Sequence, residues 1–273
     1  GRHLAENERL AKGSSYSLPG VRDAEGYTFM GWSTKPMQSV SPQYEAEEKI
    51  TVNGNVDLYA VVFNRTTETD LTEDQLPQVD IYKYKQVIFV GDSRTEFMEN
   101  VLTGMGESAT KNVKFVCSAG KGLDWFTTTG WAQLYSIVQH DSNSILSKKT
   151  AVIFNFGVND LSKSADYAEY YNWIAPQLKS KGCELYFMSV NPVNRLMLPN
   201  AGRADRSEAA VRSFNQYMKA NLSSAYTYID MYSYLKSTGY SFASDHYGTG
   251  TVDDGLHYTT RTYKRILQNV WIH

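Results

Sequence analysis

Val87-Ile88-Phe89-Val90-Gly91-Asp92-Ser93-Arg94-Thr95 is the stretch on which the reading of this chain turns. Its apolar, β-branched start reads as a fully buried strand. The run breaks at Gly91-Asp92 into a serine that opens a helix at Thr95-Glu96-Phe97-Met98. Ser93 is therefore expected at the carboxyl end of a strand. In an open α/β sheet that edge binds ligands, and a helix N-terminus there offers backbone N–H groups to a developing negative charge. Taken alone, Gly-Asp-Ser is a weak signal and reads as a serine that caps a helix. The other strand ends decide between the two.

From residue 81 onward, strand and helix patterns alternate. Strands are predicted at 86–91, 113–118, 151–156, 184–190 and 226–230, and helices near 94–104, 124–139, 165–181, 206–222 and 259–271. This alternation predicts an α/β class: a flavodoxin-like three-layer sandwich with a five-stranded parallel sheet and right-handed crossovers.

Residues 1–64 have a different texture. Short alternating segments at Tyr27-Thr28-Phe29, Lys49–Val52 and Val56–Val62 are separated by Gly, Pro, Asn and Ser clusters, the pattern of a small β-rich unit. Leu18-Pro19-Gly20, Gly26-Tyr27-Thr28-Phe29-Met30-Gly31-Trp32 and Asp57-Leu58-Tyr59-Ala60-Val61 resemble the Listeria–Bacteroides (internalin B-type) repeat over about residues 12–63. That family implies a β-grasp-like module on an extracellular or cell-wall-associated bacterial protein, acting as a spacer or as an adhesive contact. The strand and Gly-Gly turn with which members of the family usually begin are not visible before Lys12. The acidic, polar run Thr66–Asp80 reads as a solvated linker. The expected organisation is thus 1–64 β module, 65–80 linker and 81–273 α/β domain.

Composition narrows the function classes. Among 273 residues, 27 basic against 29 acidic side chains give a net charge of −2, no electrostatic footprint for nucleic acid or an anionic membrane surface. No apolar run reaches membrane-spanning length. Cys117 and Cys183 cannot make a disulfide framework and read as buried, reduced thiols. The 20 tyrosines suit carbohydrate-contacting surfaces and half-buried strands alike, so they decide nothing.

The chemistry collects at the strand ends. The second strand of the α/β region runs into Ser118-Ala119-Gly120-Lys121-Gly122-Leu123-Asp124-Trp125, where a glycine lets backbone approach a ligand closely and present an N–H. The third ends in Gly157-Val158-Asn159-Asp160, whose Asn amide can donate to an oxyanion. Each of these is also an ordinary turn sequence. After the fifth strand comes Asp254-Gly255-Leu256-His257, with a carboxylate and an imidazole spaced as if one helical turn apart. Of the five histidines, His3 and His273 are terminal, His140 ends a helix, and His246 lacks a spaced acid.

Serine, glycine, asparagine and the Asp/His pair all fall on one sheet edge, where a single pocket can gather them. At this point the chain resembles the SGNH (GDSL-type) hydrolases over about residues 84–272. Gly91-Asp92-Ser93 matches their first block, Gly122 their second, Gly157-x-Asn159-Asp160 their third and Asp254-x-x-His257 their fourth. The resemblance implies a Ser93–His257–Asp254 triad, with an oxyanion hole of the Ser93 and Gly122 N–H groups and the Asn159 amide. Arg94 follows the serine where familiar lipolytic members carry Leu, and Gly120 competes with Gly122 as donor. The second glycine of an α/β-hydrolase Gly-x-Ser-x-Gly elbow is absent.

The function implied is a serine esterase, secreted or at the surface, that removes acyl groups from a small ester or an acetylated glycan. An acyltransferase with the same triad and a catalytically idle surface adhesin remain alternatives. No cofactor or metal is expected. His-Glu-x-x-His is absent, and Asp245, His246, Asp253 and Asp254 offer at most a loop-borne cation site. Trp125, Asn191 and Tyr258 are candidate pocket residues, with helix core as the rival reading for Trp125. Arg94 either meets an anionic substrate or faces solvent. Asn194–Asn200 is a lid or a plain loop.

Overall fold

The computed structural model describes residues 8–36, 40–76, 83–141, 149–199, 206–244 and 253–271. The N-terminal strands are β1 (Ser14–Ser17), β2 (Tyr27–Ser33), β3 (Lys49–Val52) and β4 (Tyr59–Asn64). Next come β5 (Tyr84–Gly91), α1 (Ser93–Met105), β6 (Val113–Cys117), α2 (Trp131–Asp141), β7 (Lys149–Asn155), α3 (Ser164–Ser180) and β8 (Cys183–Met188). The chain closes with α4 (Glu208–Asn221), β9 (Tyr226–Ile229), α5 (Met231–Thr238), β10 (Phe242–Ser244), β11 (Asp253–Tyr258) and α6 (Thr260–Trp271). No described helix is long and apolar enough to cross a membrane.

Contacts divide these elements into two compact units. One comprises Gly1–Thr69, Pro192–Val211 and Tyr232–Thr259; the other comprises Asp70–Asn191, Arg212–Met231 and Thr260–His273. This differs from a division at 1–64, 65–80 and 81–273, because two later segments group with the N-terminal strands. The stretch expected as a solvated linker also has buried anchors: Glu68, which accepts from Ser241 Oγ at 2.6 Å, and Leu71 and Leu76.

The sheet unit holds five parallel strands in the order β6-β5-β7-β8-β9. All five predicted strands are present, and the sheet is the flavodoxin-like one expected, with its topological switch at β5, between β6 and β7. Val87–Val90 and Ala151–Phe154 are buried throughout, as a parallel sheet covered on both faces requires. Helix α1 packs on β5 and β6 and against α6, and α3 packs on β8. The core is strongly aromatic. Phe154 lies 4.7 Å from the Tyr171 ring and 5.7 Å from Phe126, which in turn meets Phe156 at 5.5 Å. The helix expected over 124–139 is a short turn at Leu123–Trp125, a π-type stretch at Phe126–Gly130, then α2.

The other unit joins β1 to β3, β2 to β4 and β10 to β11, each pair antiparallel. The small strand-rich N-terminal region is therefore present. Its Gly-Trp motif has a steric cause: at Gly31, with φ of +143°, a Cβ would sit 2.4 Å from the Tyr44 carbonyl oxygen. That close approach lets Trp32 N–H donate to Tyr44 O at 2.8 Å. The Trp32 ring joins Leu18, Phe29 and Ala46 in a small core, and its indole N–H donates to Pro19 O at 2.8 Å. The later segments share this packing. Gly239, at φ +84°, lies where a Cβ would be 2.2 Å from the Phe63 ring, and Thr28 Oγ1 donates to Tyr240 O at 2.8 Å.

Phe154→Ala removes a fully buried ring from the centre of the aromatic cluster and should cost about 3–5 kcal/mol of stability in urea unfolding. A loss below about 1 kcal/mol would show that the cluster collapses around the gap rather than depending on that ring.

Candidate active site

In the sheet unit, β5 turns into α1 without an intervening loop. Asp92, rather than Ser93, is the N-cap: its carboxylate accepts from Arg94 N–H at 3.0 Å, and its carbonyl accepts from Thr95 and Glu96 N–H, each at 3.0 Å. Ser93 is the first helical residue, 7% exposed, so the capping explanation for this serine falls away. The helix also begins two residues earlier than Thr95.

The loops after β6 and β7, the neighbours of β5, are tied to each other. Asn159 Nδ2 donates to Lys121 O at 2.8 Å. Asp160 carries a role the sequence did not suggest: Oδ2 accepts from Leu123 N–H at 2.9 Å and Oδ1 from the Tyr167 hydroxyl at 2.7 Å. Burial raises the Asp160 carboxyl above its ordinary range, against the lowering pull of those two hydrogen bonds. Gly122 is bracketed by these ties. A Cβ there would lie 2.3 Å from Asp160 Oδ2, whereas at Gly120, with φ +68°, a Cβ would meet nothing within 4 Å. Thus Gly122 is required by close approach and Gly120 by backbone conformation.

Arg94 is 2% exposed and Nη1 donates to Asn191 O at 2.9 Å, so the solvent-facing alternative is overturned. Asn191 is 1% exposed, and its Oδ1 has no hydrogen-bond partner among the described residues. A further residue with no sequence signal is Asn215. Its amide clasps Val190 in both directions, accepting from Val190 N–H at 2.7 Å and donating to Val190 O at 2.8 Å, which fixes the exit of β8. Trp125 is half-buried, its ring 6.1 Å from Phe156. Cys117 stays a thiol, pushed up to about 12 by burial and then by Glu99.

The unit containing β10 and β11 holds the acid and the imidazole. The spacing of Asp254-x-x-His257 comes from a kinked strand, not from a helical turn. Asp254 Oδ1 accepts from Leu256 N–H at 2.8 Å and His257 N–H at 2.7 Å, while Oδ2 lies 2.7 Å from His257 Nδ1. Gly255 makes the kink, with φ +69° and the Asn194 carbonyl oxygen 2.4 Å from where a Cβ would be. Asp254 is fully buried and His257 is 6% exposed. With Nδ1 donating to that carboxylate oxygen, Nε2 is the ring nitrogen left to accept. Tyr258, offered as a pocket residue, is 2% exposed; its ring stacks on Phe242 at 5.5 Å and its hydroxyl donates to Pro192 O. Asn194–Pro199 is held by an Asn194–Gly255 backbone hydrogen bond and by turns at Met197 and Leu198; Asn200, Asp245 and His246 lie outside the described residues.

Residues 87–270 match the GDSL-like lipase/acylhydrolase family, and residues 1–61 match the Listeria–Bacteroides repeat domain. The chain belongs to the GDSL-like lipase/acylhydrolase family, a class of hydrolases acting on ester bonds. No curated protein matches the sequence. Solved structures with a related outline include an acetyl xylan esterase (11% identity, covering 68% of this chain and 98% of that one, TM-score 0.44). Another is an alpha/beta hydrolase from the metagenome of Lake Arreo, Spain (10% identity, 70% and 94%, TM-score 0.46). A third is the catalytic domain of peptidoglycan O-acetyltransferase A from Streptococcus pneumoniae (16% identity, 70% and 92%, TM-score 0.40). The family assignment rests on the sequence match, not on these likenesses.

Gly122→Ala should destabilise the chain by about 1–3 kcal/mol through displacement of the Asp160 carboxylate, and most of that loss should vanish in an Asp160→Ala background. Gly120→Ala should cost about 1–2 kcal/mol from its φ alone, with no such coupling. Urea unfolding of the two double-mutant cycles measures both; additive losses at Gly122 and Asp160 would show that the close approach is not what requires glycine.

Proposed function

We propose that this chain is a serine esterase in which Ser93 is the nucleophile, His257 the general base and then acid, and Asp254 the residue that orients His257. The observation that carries the reading is the Asp254–His257 pair. A buried carboxylate is pinned by two backbone N–H groups on one oxygen and offers the other to Nδ1 at 2.7 Å. That arrangement holds the imidazole in the tautomer a general base needs and stabilises the imidazolium once it forms. Family membership and the position of Ser93 at the first turn of α1 support the nucleophile assignment.

The chemistry follows from these roles. A serine hydroxyl is a weak nucleophile at neutral pH and needs a base within hydrogen-bond reach. As Ser93 Oγ attacks the ester carbonyl, its proton passes to His257 Nε2, and the carbonyl π pair moves onto oxygen. We assign the Ser93 and Gly122 N–H groups and the Asn159 amide to that oxyanion; the Asn159–Lys121 hydrogen bond, which fixes the plane of the amide, supports its place. Collapse of the tetrahedral adduct breaks the bond to the leaving alkoxide, which takes the proton from His257. Water, activated by the same imidazole, then hydrolyses the acyl-enzyme and releases the carboxylic acid. Trp125 and Asn191 belong to the walls of the site in this reading, with Arg94 and Tyr258 packed behind them as supports.

For the substrate we propose an acylated glycan, with acetyl as the acyl group, met outside the cell. The match of residues 1–61 to the Listeria–Bacteroides repeat and the ester chemistry of the family support this choice.

Ser93→Ala should abolish both ester hydrolysis and labelling by a fluorophosphonate. Asn159→Ala should lower kcat on an activated ester by about 100- to 1,000-fold with little change in KM. Near-normal kcat in Asn159→Ala would sink the oxyanion assignment. Acetate release from a panel of acetylated glycans, with a sugar acceptor added in parallel, separates hydrolysis from acyl transfer, and absence of fluorophosphonate labelling at Ser93 would favour an idle surface protein.

A further inference from the structure

Asp253 and Asp254 are consecutive and both buried, 4% and 0% exposed. Successive strand residues point to opposite faces, so one carboxylate can serve His257 while the other is used elsewhere. The use made of Asp253 is specific. Arg65, just after β4, reaches it through both terminal nitrogens, at 2.6 Å to Oδ1 and 2.7 Å to Oδ2. Nη2 also donates to Asp23 Oδ2 at 2.6 Å, and Nε donates to Thr28 Oγ1 at 2.9 Å. Three edges of the guanidinium are thus committed, with side-chain exposures of 13% for Arg65, 0% for Asp23 and 5% for Asp253.

A second grip lies on the other side of Asp254. Asp23 Oδ1 accepts from Phe29 N–H and from Asn194 Nδ2, each at 3.0 Å, and Asn194 Nδ2 also donates to Val21 O at 3.0 Å. The Asn194 backbone N–H in turn donates to Gly255 O at 2.8 Å. Gly255 separates Asp254 from the two N–H groups its carboxylate uses. Residues 253 and 255 are therefore both held by side chains that flank the N-terminal strands, Arg65 and Asp23, or by groups bonded to them, and residue 254 sits between.

We propose that the N-terminal module is a working part of the acid–base pair: Arg65, through Asp253, and Asp23, through Asn194 and Gly255, set the backbone that aims Asp254 at His257. Arg65 is then a positioning residue, and the module is more than a spacer or an adhesive contact. The inference rests on the proposed roles of Asp254 and His257. Charge balance gives Arg65 its leverage, since one cation serves two buried carboxylates. Without the guanidinium, Asp23 and Asp253 both lose the fork that ties them to each other and to the end of β4, and the backbone at residue 253 loses its anchor.

The test uses the full chain with Arg65→Met, which removes fork and charge, and Arg65→Lys, which keeps the charge without the bidentate geometry. Thermal unfolding establishes which variants fold. The direct readout is the downfield proton resonance of His257 Nδ1–H against Asp254, assigned by its absence in His257→Gln. It should broaden or shift upfield in Arg65→Met and recover in part in Arg65→Lys. On an activated ester kcat should fall about 100-fold in Arg65→Met with KM within about twofold, as for a displaced catalytic group. A folded Arg65→Met with unchanged resonance and kcat overturns the proposal. If Arg65→Met does not fold, Arg65→Lys decides on the same two readouts. Esterase activity that survives Ser93→Ala and His257→Ala would instead defeat the proposed function, and the resonance would still judge the positioning role.

Discussion

The end of strand β5 is governed by a steric limit at Gly91. A Cβ there would lie 1.9 Å from Thr95 Oγ1 and 2.8 Å from the Asn155 carbonyl oxygen, so only glycine lets β5 run straight into α1. Because Gly91 pairs with Cys117 on one side and Asn155 on the other, the same residue fixes where β6 and β7 release their loops. With no connecting loop to spend, Asp92 must cap the helix, and Ser93 becomes its first residue at the switch point of the sheet. Thr95 is drawn into the same junction by Asn155, whose amide donates to Thr95 Oγ1 at 3.3 Å. Strand, cap, serine and the origins of both neighbouring loops therefore follow from the absence of one methyl-sized group.

The Asp254–His257 pair is built in the opposite way. No regular element fixes the distance between Asp254 and His257; hydrogen bonds from the intervening backbone do. A carboxylate that accepts N–H groups from two and three residues ahead draws the chain around itself, and Gly255 at φ +69° supplies the turn. The second oxygen then has one direction left, toward Nδ1 of His257. Charge-assisted bonds of this kind to a fully buried carboxylate are worth more than neutral ones, which is how an irregular strand can hold a ring as firmly as a helix would. The cost is that the geometry depends on whatever holds the backbone on either side.

That dependence separates what was legible in the sequence from what was not. The sheet was legible because parallel strands buried on both faces must be apolar without interruption, as Val87–Val90 and Ala151–Phe154 are. The blocks at Gly122, Asn159 and Asp254 were legible because each is short and local. The ends of elements were less so: Asp92 and Ser93 are both good capping residues, and only the backbone distinguishes them. The grouping of 192–211 and 232–259 with the N-terminal strands had no local signature at all. It is made by contacts between residues far apart in the chain, among them Arg65 with Asp253, Thr28 with Tyr240 and Phe63 with Gly239, and such residues in isolation carry no periodicity to read. Asp160 was visible in its block but not its use, since the groups it binds, Leu123 N–H and the Tyr167 hydroxyl, lie on either side of it in sequence without a fixed spacing.

Arg94 shows how position in a motif and position in space can point to different roles. Its place beside Ser93 suggests an anion-binding side chain, yet its burial and its hydrogen bond to Asn191 O make it a strut between the ends of β5 and β8. Guanidinium stays charged when buried and is less strongly hydrated than ammonium, which suits it to bracing a backbone carbonyl in the interior. Bracing that carbonyl fixes the residue that owns it, and Asn191 is also one of four described residues with a buried side-chain oxygen that has no hydrogen-bond partner. A buried acceptor left without a donor is costly unless something supplies one. The hydrogen-bonding capacity left over at this part of the sheet edge thus belongs to the amide of Asn191, while the Arg94 guanidinium is engaged by the Asn191 carbonyl.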